Sequence, residues 1–263
     1  MNEPFPPPFR LPPAGEGPGA PAGRVPSGCV VYVIGDVHGR ADLLDRIHAA
    51  IRDNARRATA VRRVAVYLGD YIDRGPDSCR AVETLVRQPL AGFETVALKG
   101  NHEDLLLRFL DGDDEAGGHW LTYGGRDTLA SYGIATPPAG VQSAAALAEL
   151  RARVAGQMPA SHLQFFRALK VRHREGDYLF VHAGVRPGVP IDAQSDRDLL
   201  WIGKRFVTSQ ADFGAIVVHG HCISTAPDVR HNRIGIDTGA YESGILTCLV
   251  LEGEQQQFLS TGP

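Results

Sequence analysis

The sequence has little that would tie its function to sulfur, charge or a membrane. Its four cysteines, Cys29, Cys79, Cys222 and Cys248, are scattered through 263 residues with no CxxC pair. That spacing speaks against a zinc finger or a thioredoxin-like redox motif and fits a reducing compartment. Neither sign of charge dominates. There are 27 Lys and Arg against 30 Asp and Glu, a formal net charge of -3, so neither nucleic acid nor an anionic membrane is expected as a partner. No apolar run approaches the roughly 20 residues that a membrane helix needs. The opening "MNEPFPPPFR" has no basic segment followed by an apolar one, so a soluble cytoplasmic protein is expected. There is no internal repeat.

What the chain does have is unevenly distributed. Residues 1–27 hold half of its 18 prolines, interleaved with glycine and alanine, and lack the periodicity to build a core; a disordered tail is expected there. From Cys29 the pattern changes. "CVVYVIGD", "VAVYLGD" and "FETVALKGN" read as buried strands, and the stretches between and after them as helices. In the first of these helices Leu43, Leu44, Ile47 and Ile51 recur at helical spacing. Such alternation predicts right-handed crossovers and parallel pairing. The middle, from about Asp111 to Ala168, reads as helical, with "SAAALAELRARVAGQM" its clearest helix; it fits a cap or an outer layer. Four later runs, "DYLFVHAG", "AIVVHGH", "NRIGIDTGA" and "ILTCLVLEG", predict a second, more antiparallel sheet packed on the first within one domain. The fold class is α/β.

Five of these strand-like runs end in side chains that bind metals. The ends are Asp36 with His38, Asp70, Asn101 with His102, His182, and His221. Ligands on open α/β sheets gather at the carboxyl ends of strands, so residues distant in sequence can converge there. A single strand-end Asp is more often a turn cap and a single His more often packs; five together are better explained by a metal site, since Asp, Asn and His are suitable ligands. Asp36, His38 and Asp70 would hold one divalent ion. Asp70, Asn101, His182 and His221 would hold a second, with Asp70 bridging. Two ions roughly 3.5–4 Å apart can activate a shared hydroxide and clamp both oxygens of an in-line displacement, which suits hydrolysis of phosphate esters. Arg74, in "GDYIDRG", could grip two phosphoryl oxygens with its planar guanidinium. His102 is a candidate general acid for the leaving oxygen, and Asp73 could orient it.

Taken together, "GDVHGR", "GDYIDRG", "GNHED", "HAG" and "HGH" resemble the phosphoprotein phosphatase family, the metal-dependent serine/threonine phosphatases, and among them the compact bacterial and phage members, including the phage lambda phosphatase. The likeness spans roughly Val30 to Gly253. It implies a calcineurin-like metallophosphoesterase domain over residues 28–263, built as a two-sheet sandwich flanked by helices. It further implies a dinuclear centre often activated by manganese, with iron or zinc as alternatives, and direct hydroxide attack without a phosphoenzyme. It selects His221 over His219 as the last ligand. One position departs from the pattern: where small relatives carry a second phosphate-gripping arginine, this chain has Gly203. Lys204, Arg205 or Arg186 could fill the role, or Arg74 could act alone; substitution by a neighbour is expected, with Arg205 as the candidate. The expected function is a phosphatase acting on phosphoserine or phosphothreonine in a phosphoprotein or phosphopeptide. The alternative is a nucleotide pyrophosphohydrolase of the diadenosine tetraphosphatase kind. A catalytically silent binding module is disfavoured because every metal position and His102 are present.

Overall fold

The computed structural model describes residues 22–58, 60–87, 90–138 and 143–262. Its first part follows the expected alternation: β1 (Cys29–Ile34), α1 (Ala41–Ala55), β2 (Arg62–Tyr67), α2 (Ser78–Arg87), β3 (Glu94–Ala97) and α3 (Asn101–Leu110). β1 pairs with β2, and β2 with β3, in parallel. β1 reads as an unbroken apolar run because both of its faces are covered. Val30, Tyr32 and Ile34 pack on the helical side, against Leu43, Leu44, Ile47 and Ile51 of α1. Val31 and Val33 face the other way, into the layer between the sheets. Each fully buried Leu or Ile contributes about 1.5–3 kcal/mol, so the apolar stripe of α1 docks the helix.

The middle of the chain forms α4 (Asp114–Trp120), α5 (Arg126–Ser131), α6 (Ala144–Gln157) and α7 (Ala160–Ala168). These extend the helical layer over the first sheet: Trp120, Leu129, Leu150 and Phe166 join the same core. The chain then runs through β4 (Arg172–Glu175), β5 (Tyr178–Val181), α8 (Asp196–Trp201), α9 (Lys204–Val207), β6 (Ile216–His219), β7 (Asp228–Arg230), β8 (Arg233–Gly235), α10 (Ala240–Ser243), β9 (Thr247–Glu252) and β10 (Gln255–Ser260). Phe180, Val218 and Ile234 meet Val31, Val33, Val64 and Val66 between the sheets. On the outer face of the second sheet, Leu179, Val181 and Val217 pack against Leu199 and Phe206. The result is one α/β domain of two mixed sheets flanked by helices.

Two expectations need correcting. The run "ILTCLVLEG" is β9, and it belongs to the first sheet, whose order is β10-β9-β1-β2-β3. It pairs antiparallel with β1 on one side and with β10 on the other. The Gly253–Glu254 turn places β9 and β10 side by side, with Gly253 at φ 58, and the pair covers an edge of β1 whose polar groups would otherwise be unpaired. The second sheet, β4-β5-β6-β8-β7, is parallel at its centre and antiparallel only at its margins.

Of the expected N-terminal tail, residues 1–21 lie outside the described residues. Residues 22–27 pack onto the domain. Val25 is fully buried and its N–H donates to Gly253 O at 3.1 Å; the Arg24 N–H donates to Asp177 Oδ2 at 2.9 Å. Among the described residues no helix is long and apolar enough to cross a membrane.

Candidate metal centre and active site

The strand ends converge as expected. Asp36 and His38 follow β1, Asp70 follows β2, Asn101 and His102 open α3 after β3, His182 follows β5 and His221 follows β6. Among the described residues, every non-glycine position with positive φ belongs to this cluster: His38 (44°), Asp70 (51°), Asp73 (73°), Arg74 (66°) and His221 (61°). Left-handed backbone costs of order 1–3 kcal/mol per residue and persists where the surroundings over-determine it, as at functional sites.

Asp70 lies at the centre. Its Oδ2 is 3.4 Å from His38 Nε2, 3.5 Å from His182 Nε2 and 3.8 Å from His102 Nε2. Burial pushes its carboxyl up, but His182, His102, His38 and His221 together outweigh burial and hold it below the usual carboxylate range. The imidazoles respond in the opposite sense. Burial, with Arg74 beside it, lowers His38 well below the usual value; burial lowers His182, and burial followed by His182 lowers His221 to about 3.

The donor set fits a cation. Neutral His38 donates Nδ1–H to Ile72 O at 2.8 Å, and neutral His182 donates Nδ1–H to Leu68 O at 2.9 Å. Each ring is thereby locked in the tautomer that leaves a lone pair on Nε2. Both lone pairs face Asp70 Oδ2, an acceptor against acceptors, an arrangement that a bound cation would relieve. Two groups, His38–Asp70–His102 and Asp70–His182–His221, have ligand atoms within 4.8 Å of one another and share Asp70. Asn101 Oδ1 stands 2.8 Å from His182 Nε2 and 2.9 Å from His221 Nδ1. Asp36 accepts from the His221 N–H through Oδ2 at 3.0 Å, while its buried Oδ1 has no protein partner. Burial, followed by Asp237 and Asp70, raises its carboxyl well above the usual range, as expected of a group awaiting positive charge.

The remaining sequence candidates separate. Asp73 Oδ2 is 2.6 Å from His102 Nδ1. Arg74 lies over the Tyr241 ring at 4.9 Å and reaches His38 Nε2 at 3.1 Å; with His102, Asn101, Tyr123 and Trp201 it lines the mouth of the site. Arg205 is not brought in. It is exposed on α9 beside Lys204, and its charge acts on Asp198. Arg186 is held by Asp198 through Nε and a terminal nitrogen at 2.8 and 2.6 Å. Arg186 is thus engaged by Asp198, Arg205 is exposed, and neither is among the residues that line the mouth.

Glu103 was not legible as a site residue. Fully buried, it accepts from the N–H groups of Asp70 (2.9 Å), Tyr71 (2.8 Å), Ile72 (3.3 Å) and Gly100 (2.9 Å). It thus shapes the loop that carries Asp70, Asp73 and Arg74. Burial and then Asp70 push its carboxyl up to about 8, against the pull of those donors. In sequence it looks like an ordinary acid in the first turn of a helix; its adjacency to "GNH" was the available signal.

Residues 30–241 match the calcineurin-like phosphoesterases. The asymmetrical bis(5'-nucleosyl)-tetraphosphatase PrpE of Anoxybacillus flavithermus is 26% identical over 235 residues, 82% of this chain and 88% of the relative. Among solved structures, a putative diadenosine tetraphosphatase superposes with a TM-score of 0.59 at 21% identity, covering 89% of this chain and 95% of the other. A cold-active protein tyrosine phosphatase superposes with a TM-score of 0.59 at 15% identity, covering 91% and 83%. The relatives by sequence therefore carry the name of the alternative reading, and nothing here supports the bacterial phosphoprotein phosphatase subtype over it. Over most of its length, and with a cluster that suits divalent metals, the chain belongs to the calcineurin-like phosphoesterase family.

Proposed function

We propose that this protein hydrolyses dinucleoside polyphosphates, cleaving a phosphoanhydride to give two nucleotides of unequal phosphate number. The observation that carries this reading is the alignment with a tetraphosphatase along most of both chains. It takes precedence over the protein serine/threonine phosphatase expected from the motifs, which both classes share. Tyr123, partly exposed at the mouth, offers an aromatic face on which a base can stack, at about 1–3 kcal/mol per base.

Asp36, His38 and Asp70 would hold one ion, and Asp70, Asn101, His182 and His221 the other. When bound, divalent ions supply an activated water and neutralise phosphate charge. Arg74 holds two phosphoryl oxygens and sets the phosphorus in line with the attacking water. The water oxygen bonds to phosphorus as the bond to the leaving oxygen breaks. With Nδ1–H given to Asp73, the Nε2 of His102 is the atom that holds a proton for that oxygen. Steady-state rates on diadenosine tetraphosphate beside a phosphopeptide panel test the assignment. The tetraphosphate is expected to have the higher kcat/KM, and faster turnover of any phosphopeptide would overturn it.

A further inference from the structure

Asp73 is fully buried and all its polar atoms are engaged, yet only one of its partners faces the reacting centre. Oδ2 is 2.6 Å from His102 Nδ1. Oδ1 accepts from the Trp120 indole N–H at 3.1 Å and from the Thr128 hydroxyl at 2.5 Å. The Asp73 N–H donates to Thr128 Oγ1 at 2.8 Å and to Ser78 Oγ at 3.0 Å, and its carbonyl accepts from the Gly75 N–H. Trp120, Thr128 and Ser78 are themselves fully buried.

Trp120 ends α4 and Thr128 lies in α5. Between them the chain turns through Gly124 at φ 119, where a Cβ would stand 2.7 Å from Arg74 N and 3.1 Å from Asp73 Cβ. The turn therefore rests directly on the left-handed Asp73–Arg74 backbone. A free carboxylate offers an imidazole two equivalent oxygens. Here one is saturated by two donors, so the other is the only acceptor left for His102. In a dry interior such a closed network is strong while complete and costly when one member is missing.

We propose that Trp120 and Thr128 are positioning residues for the proton donor: by saturating Asp73 Oδ1 they fix its carboxylate, and through Oδ2 they fix the ring plane of His102 so that Nε2 faces the leaving oxygen. The inference rests on His102 being that donor. Ser78 and the Gly124 turn complete the cradle, which comes from a part of the chain that contributes no metal candidate.

The test uses full-length, zinc-loaded Thr128→Val, Thr128→Ser, Trp120→Phe and His102→Ala variants. The Nδ1 proton of His102 should give a far-downfield proton resonance, assigned by its loss in His102→Ala. Thr128→Val and Trp120→Phe should shift or broaden it, and Thr128→Ser should restore it. In parallel, Thr128→Val should lose on the order of tenfold or more in kcat on phenyl phosphate, much less on p-nitrophenyl phosphate, whose leaving group needs little protonation, with KM nearly unchanged. An unmoved resonance in Thr128→Val, no His102 resonance in the wild type, equal kcat losses on both esters, or a serine variant as damaged as valine would each overturn the proposal. Equal losses on both esters in His102→Ala would instead remove His102 as donor, and the resonance would still report whether the arm orients its ring.

Discussion

Asp36 and Gly220 meet where the ends of β1 and β6 converge, with no space for a side chain between them: a Cβ on Gly220 would lie 1.9 Å from Asp36 Oδ1. The neighbouring His221 N–H holds the other carboxylate oxygen at 3.0 Å. One oxygen is thus anchored to the second sheet, and the free one is held in a fixed direction.

Gly220→Ala should therefore fold normally but push Asp36 aside. Displacing a ligand or its support typically costs 10–100-fold in metal affinity. Titration calorimetry with Mn²⁺ on the metal-stripped variant should show a loss of that order. Wild-type affinity would mean that Asp36 Oδ1 binds no ion.

Chelation should abolish turnover, and added divalent metal should restore it, with Mn²⁺ the expected activator. Asp70→Asn should be worse than loss of any single imidazole, because Asp70 belongs to both candidate ligand groups. Metal analysis of the variant should find both ions depleted; retention of two ions would show that Asp70 does not bridge.

Phosphate binding should depend on Arg74 and not on the other arginines near Gly203. Since Asp198 engages Arg186 and feels the charge of Arg205, Arg186→Ala and Arg205→Ala should leave the inhibition constant of inorganic phosphate unchanged. Arg74→Ala should raise it. Gly203→Arg should lower it by adding a charge-assisted contact worth about 1.5–3 kcal/mol at most. A rise in either alanine variant would return that arginine to the site.

Stability should fall in mild acid partly through His48, which lies outside the metal cluster. It is buried, has its Nε2 2.8 Å from the Tyr67 hydroxyl, and is pushed down to about 4 from 6.5 by burial and then by Arg52. Because the folded pKa is the lower one, the unfolded chain binds more protons between those values. Stability is intact above about pH 6.5 and is lost as pH falls toward 4. The contribution between pH 7 and pH 5 is about 2 kcal/mol. Urea unfolding at the two pH values should show it in the wild type and a smaller difference in His48→Gln; equal differences would exclude His48 as the cause.

Much of this protein was legible locally. An apolar run followed by a polar turn residue marks a strand and the side chain at its tip, so β1, β2, β3, β5 and β6 and the candidates at their ends could be read without coordinates. The stripe of α1 could be read for the same reason: periodicity is a property of neighbouring residues. Other features were decided only by tertiary packing. Alternation does not say which sheet a strand joins, so β9 had to find the open edge of β1. β4, β7 and β10 are short or polar and acquire strand geometry from their partners. Glu103 looks like a helix-start acid until the Asp70 loop folds over it. Trp120 and Thr128 are 47 and 55 residues from Asp73, and no spacing rule links them. The pairing of Arg186 with Asp198 was likewise set by the fold of the segment between them. Sequence records which groups a segment presents, whereas the partner of a buried polar group depends on which distant surfaces are brought together when the apolar faces close.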